Sequence, residues 1–108
     1  MVSSFLSRFS WEKKRKHFEK FWNDNFNLTQ TYPCVESIYN NPPDFDVYVA
    51  GSDQIWNPTC IKGDGVFLLD FVTNGKRRIS YASSFAQAKL EEKFRKDMAD
   101  SLRGFFSI

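Results

Sequence analysis

Ser52, Asp53, Gln54 and Asn57 place four hydrogen-bonding side chains within six residues, with Trp56 among them and Gly51 and Pro58 at the ends. This mixture suits a sugar. Carboxylate, amide and hydroxyl groups hold pairs of sugar hydroxyls, and the apolar C–H face of a pyranose lies on an aromatic ring. Gly51 would let the backbone turn sharply or approach a ligand closely. The same octapeptide also reads as a strand-to-helix junction in which Ser52 or Asp53 caps and Trp56 packs beneath. Local chemistry leaves both readings open.

Other reactive side chains are sparse. Cys34 and Cys60 form no C-x-x-C pair and have no histidine at metal-ligand spacing, so no metal site is expected and two cytosolic thiols are the simplest reading. His17, the single histidine, sits beside the run Lys13-Lys14-Arg15-Lys16, which is interleaved with Trp11, Phe18, Phe21 and Trp22. Such a run could track phosphates while the rings stack on bases. The favoured reading is an amphipathic helix whose aromatic side is packed and whose charged side is wet.

Charge layout supports that preference. Residues 1–20 carry six basic and two acidic groups, net +4; residues 21–75 carry one basic and seven acidic, net −6; residues 76–108 return to +4. A nucleic-acid footprint would cluster its cations without that acidic interruption, so no nucleic-acid partner is expected. No apolar run approaches the roughly 18 residues of a membrane span. The expected location is the cytoplasm. With 108 residues the chain fits one modest domain, and 18% aromatic residues supply enough bulky surface to build a core or to face a partner.

The elements that must position the octapeptide follow from periodicity. Trp11, Phe18, Phe21 and Trp22 predict a helix from Ser10 to about Asn25, with Ser10 as cap. Residues 1–30 then form a basic amphipathic helix and linker, and residues 31–108 a partial Rossmann-like domain. Within it, turn chemistry at Pro33, Asn40, Asn41, Pro42 and Pro43 surrounds one short helical turn near residues 35–39. Residues 45–50 read as a strand, and their near-continuous apolar character predicts cover on both faces of a parallel sheet. Residues 51–58 are the candidate ligand loop. Residues 66–71 read equally as strand or buried helical turn. A second strand follows at 79–82, then a helix at 89–103, where Leu90, Phe94, Met98, Leu102 and Phe105 step by fours and a three. Gly104 is the stop, and residues 105–108 open another strand. Strand, helix, strand is the unit of a parallel α/β sheet with a right-handed crossover. In open α/β sheets ligands sit beyond the carboxyl ends of the strands, so the loops after Ala50 and Ala82 should face one cleft if those two strands are parallel.

These blocks carry a resemblance. FDVYVAGSDQIWNP (residues 45–58), FLLDFV (67–72) and KRRISYASSFA (76–86), in this order, resemble the polysaccharide pyruvyl transferase family, and NFNLTQTYP (25–33) is similar to the stretch that precedes the signature there. The resemblance covers nearly the whole chain. It implies a two-domain glycosyltransferase-B-like fold built of Rossmann-like halves. It also implies transfer of a pyruvate ketal from phosphoenolpyruvate, a substrate rather than a cofactor, to a sugar of a surface polysaccharide. By carry-over, Ser52, Asp53, Gln54, Trp56 and Asn57, with Ser83 and Ser84 on the second loop, would line the cleft and contact substrate, Asp53 through a sugar hydroxyl.

The catalytic acid and the cations that grip the donor are expected outside this chain, so the catalytic residues are unknown. The chain is expected to be a fragment of the N-terminal half, inactive alone, with uncovered aromatic surface that favours self-association. Ala86 stands where similar sequences place glycine, so a positive φ there would be strained. The alternative from another class is a non-catalytic glycan- or protein-binding module.

Overall fold

In the sequence Val47-Tyr48-Val49-Ala50-Gly51, β-branched and aromatic side chains favour an extended chain, and in the computed structural model they form β1 (Val47–Gly51). It pairs in parallel with β2 (Arg77–Tyr81), in the register Val47 with Arg77 through Gly51 with Tyr81. The structure describes residues 2–61 and 65–108, without the side chains of residues 2–5, 60 and 61. The Cys60 thiol lies outside the described residues. The architecture is α/β. Two compact units are present, Met1–Thr31 and Tyr32–Ile108.

The first unit is dominated by α1 (Val2–Asn25), about two turns longer than the helix expected from Ser10. No glycine or proline interrupts residues 2–9, so the helix propagates through them and Ser10 caps nothing. At about 100° per residue, Leu6 and Phe9 fall opposite Trp11, Phe18 and Trp22. The apolar stripe therefore changes sides along the helix. Arg15–Glu19 and Lys20–Asp24 pairs at i,i+4 support the turns between. Contrary to expectation the aromatic side is not packed, because every described side chain of α1 is exposed. Among the described residues no helix is long and apolar enough to cross a membrane.

In the second unit, α2 (Val35–Asn40) is the expected helical turn. Phe45 and Asp46 precede β1 instead of opening it. The Phe45 N–H donates to the Tyr48 hydroxyl (3.1 Å), which itself donates to the Pro43 carbonyl, so the ladder starts two residues later than expected. Downstream come α3 (Pro58–Ile61), a 3-10 helix at Val66–Leu68, β2, and α4 (Glu92–Arg103). β2 starts at Arg77 and ends before Ala82, which leaves the ladder at φ 54°. α4 begins three residues later than the expected 89. Residues 105–108 make a single parallel bridge, Ser107 with Ile79, so β2 has neighbours on both edges.

Alternation along β1 sorts its side chains. Tyr48 and Ala50 are buried, whereas Val47 and Val49 are exposed, which corrects the expectation of cover on both faces. The inner face packs on α4 and the 3-10 helix, and Val47, Val49, Tyr81 and Phe106 remain open. The core is Ala50, Trp56, Leu68 and Met98, flanked by Ile55, Leu69, Phe85, Leu90, Leu102 and Phe105. Edge-on rings of Tyr39, Phe71, Tyr48 and Phe45 extend it.

One cation enters this interior. Arg78, register partner of Tyr48, donates from Nη1 to the carbonyls of Leu68 (3.2 Å) and Leu69 (3.3 Å) and to Asp70 Oδ1 (3.2 Å). Its Nη2 reaches the Ser101 carbonyl at 3.4 Å, and the Ser101 hydroxyl donates to Asp70 Oδ2 at 2.7 Å. The fork satisfies carbonyls left free where the 3-10 helix ends at Leu69 in a left-handed conformation, φ 57°.

Candidate functional site

Parallel pairing brings the carboxyl ends of β1 and β2 together. Gly51 is level with Tyr81, so the chain leaves both strands at one edge of the sheet. The sharp turn expected at Gly51 is taken one residue later. Gly51 stays in the ladder, while Ser52 adopts φ 118° and Gln54 φ 61°. In the second loop Ala82 and Ala86 both take φ 54°. Four of the five non-glycine residues with positive φ among the described residues thus cluster in these loops. Such conformations cost about 1–3 kcal/mol each and persist where surrounding bonds over-determine them.

Ser84 supplies most of those bonds. Its hydroxyl donates to Asp53 Oδ1 (2.6 Å) and accepts from the Gln54 N–H (3.1 Å), while its carbonyl accepts from the Trp56 N–H (3.2 Å). Ser83 is also committed, its hydroxyl donating to the Ala50 carbonyl at 3.2 Å. These two serines join the loops. They hold the predicted residues together without presenting free hydroxyls to a ligand.

Asn57 and Pro58 explain the end of the first loop. The Asn57 side-chain oxygen accepts from the Thr59 N–H (3.1 Å) and the Thr59 hydroxyl (2.8 Å), an N-cap bond, and Pro58 occupies the first helical position, where its missing N–H costs nothing. The same oxygen accepts from Gln87 Nε2 at 3.1 Å, and the Asn57 amide reaches Gln54 Oε1 at 3.5 Å. Asn57 is only 9% exposed and is a structural hub. Gln87 completes this network and was not among the sequence-predicted residues. A polar residue three positions after Ser84 gives no local signal, because only the parallel register brings it to Asn57.

Trp56 is the clearest departure from a ligand-facing platform. It is 2% exposed, its indole N–H donates to the Phe67 carbonyl at 3.0 Å, and its ring packs against Phe85 (5.6 Å) and Phe105 (5.7 Å). Both alternatives were open from local chemistry, and the one with Trp56 beneath the junction is observed. Burial gives the large ring more than an open loop would.

The exposed members of the predicted set are Ser52, Asp53 and Gln54. Across residues 51–58 and 82–87 Asp53 is the one ionisable side chain. These two loops therefore offer one carboxylate with amide and hydroxyl groups around it, suited to hydroxyl donors, and residues 51–58 and 82–87 include no side-chain cation for a phosphate. His17 belongs to the other unit. Among the described residues no three His, Cys, Asp or Glu side chains are placed to hold a metal ion. A cavity of about 160 Å³ lined by Asp70, Lys93, Asp97 and Met98 includes none of the predicted site residues. No family model, curated protein or solved structure compared with this chain matches it.

Proposed function

We propose that this chain supplies the acceptor-sugar edge of a polysaccharide pyruvyl transferase, a cytoplasmic enzyme that moves a pyruvate ketal from phosphoenolpyruvate onto a sugar of a surface polysaccharide. The fold of the whole would be glycosyltransferase-B-like, with this sheet in one Rossmann-like half. One observation carries the reading. Two of the sequence blocks that bear the resemblance, 45–58 and 76–86, end in adjacent loops at one sheet edge, tied by Ser84 to Asp53, with Ser52, Asp53 and Gln54 outward. A neutral, hydroxyl-rich acceptor fits that edge. The anionic donor wants cations, which the loops lack, and a general acid to protonate its methylene carbon is not among them either.

The test is a calorimetric titration of the chain with neutral oligosaccharides, with nucleotide sugars and with phosphoenolpyruvate. Saturable binding of saccharide, weakened about tenfold by Asp53→Ala through loss of a charged hydrogen bond, is the expected result. Binding unchanged by Asp53→Ala and Gln54→Ala, or none at all, would sink the assignment. That the two loops carry one carboxylate, Asp53, and no side-chain cation also favours a second reading, a glycan-binding module without chemistry of its own. Phosphate release from phosphoenolpyruvate separates the two: it should appear when the rest of a transferase is supplied, and never for a module.

A further inference from the structure

From the exposure of α1 we infer that its C-terminal two-thirds is a peripheral docking face for an anionic lipid surface. The observation is independent of the sugar edge. Trp11, Phe18 and Trp22 fall within about 40° of one another around the helix and span about 16 Å along it. Trp11 is 70% exposed and Trp22 50%, with Phe18 and Phe21 open between them. Lys14 lies about 40° to one side of Phe18 and Arg15 about 60° to the other. Shallow grooves along both flanks of the stripe are lined by Lys13, Lys14, His17, Phe18 and Phe21 on one side and by Trp11, Lys14, Arg15, Phe18, Glu19 and Trp22 on the other.

Charge and shape choose the occupant. Residues 10–25 hold five basic and three acidic groups, and their net +2 complements a negative surface, with Lys13, Lys16 and Lys20 contributing from farther round. A helix lying in the headgroup plane buries its rings side-on while flanking Lys and Arg stems reach outward to phosphates. Nucleic acid fits less well. Phe18 and Trp22 lean on each other at 6.3 Å with planes tilted 38°, which leaves no slot for a base to enter between them. The stripe is convex, and Glu12 and Glu19 lie beside one cationic flank, with Arg15 already paired to Glu19 at 3.4 Å.

The full 108-residue chain is to be sedimented with vesicles of equal parts phosphatidylcholine and phosphatidylglycerol, with pure phosphatidylcholine vesicles, and without lipid. Pelleting with the anionic vesicles alone, reversed by added salt, is expected. Lys14→Glu with Arg15→Glu should weaken it on the order of tenfold or more, and Trp11→Ala with Trp22→Ala should abolish it. All four side chains are exposed, so the variants fold. Equal pelleting on neutral vesicles, pelleting without lipid, or retention of poly-uridylate RNA in place of vesicles would each overturn the inference.

Discussion

Gly104 leaves the space that the Arg78 guanidinium occupies: a β-carbon at position 104 would stand 1.5 Å from Nη2 and 2.8 Å from Cζ. The stop of α4 was legible as a glycine, but its reason is steric. Gly104 has φ −76°, which any residue adopts, and its N–H closes the helix on Leu102 and Ser101. Arg78 cannot swing away freely, because its fork is fixed by three carbonyls and Asp70, and its side chain is 13% exposed. Gly104→Ala is expected to lose about 1–3 kcal/mol by leaving those acceptors short of a donor. A urea midpoint measures this, and Gly75→Ala cannot serve as control because Gly75 sits at φ 74°. Retained stability in Gly104→Ala would show that the fork is free to move.

Trp56 and Trp22 should differ sharply. Trp56→Ala empties the centre of the core and frees the Phe67 carbonyl, for an expected loss of about 3–5 kcal/mol. Trp22→Ala, on the exposed helix, should stay within about 0.5 kcal/mol. Chemical denaturation followed by circular dichroism compares them. Equal effects would contradict the packing described for Trp56.

Ala86 is held at φ 54° with a side chain that disfavours it. Ala86→Gly relieves the crowding at positive φ and, against that, raises the entropy of the unfolded chain, for a net gain of about 0.5–1 kcal/mol. Ala88 lies in the same loop without positive φ, so Ala88→Gly should destabilise. A rise in melting temperature for the first and a fall for the second is the expected pair of results. The reverse order would remove the case for strain.

Lys76 donates to Asp46 at 3.2 Å just before the two strands meet, and this bond together with the Asp46 charge holds its ammonium above the usual lysine value of 10.5. A raised pKa in the folded state stabilises fully below the ordinary value, and the contribution fades as pH climbs through the raised one. Carbon chemical shifts of Lys76 followed through alkaline titration should show a late transition, which Asp46→Asn returns to 10.5. A wild-type transition at the ordinary value would break the link.

Much of the fold was written in periodicity. Leu90, Phe94, Met98, Leu102 and Phe105 recur at helical spacing, and four of the five pack into or against the core, with Phe94 half-buried. The strand-helix-strand pattern from residues 79–82 to 105–108 gave the parallel bridge of Ser107 with Ile79, and the shared carboxyl edge of β1 and β2 rested on their being parallel, as they are. Other features depend on what lies across the chain. Arg78 stands in a Lys-Arg-Arg run that reads as a wet turn, and its register with Tyr48 turns it inward. An indole suits a platform or a core equally, so Trp56 was undecidable until Phe85 and Phe105 were in place. Val47 and Val49 look as buried as Ala50 until the packing of one face alone is known.

The ties across the candidate edge share a property that bears on how the chain reaches this state. Gln54 to Ser84 and Asn57 to Gln87 each join residues 30 apart, and Asp53 to Ser84 joins residues 31 apart. A loop of that length must close before any one of them forms, and closing it costs entropy that no local turn offsets. Once it is closed, the ladder and all of these bonds become available together. The arrangement of Ser52, Asp53 and Gln54 therefore forms and dissolves with the ladder, and the exchange of its amide protons should keep time with the opening of the whole sheet.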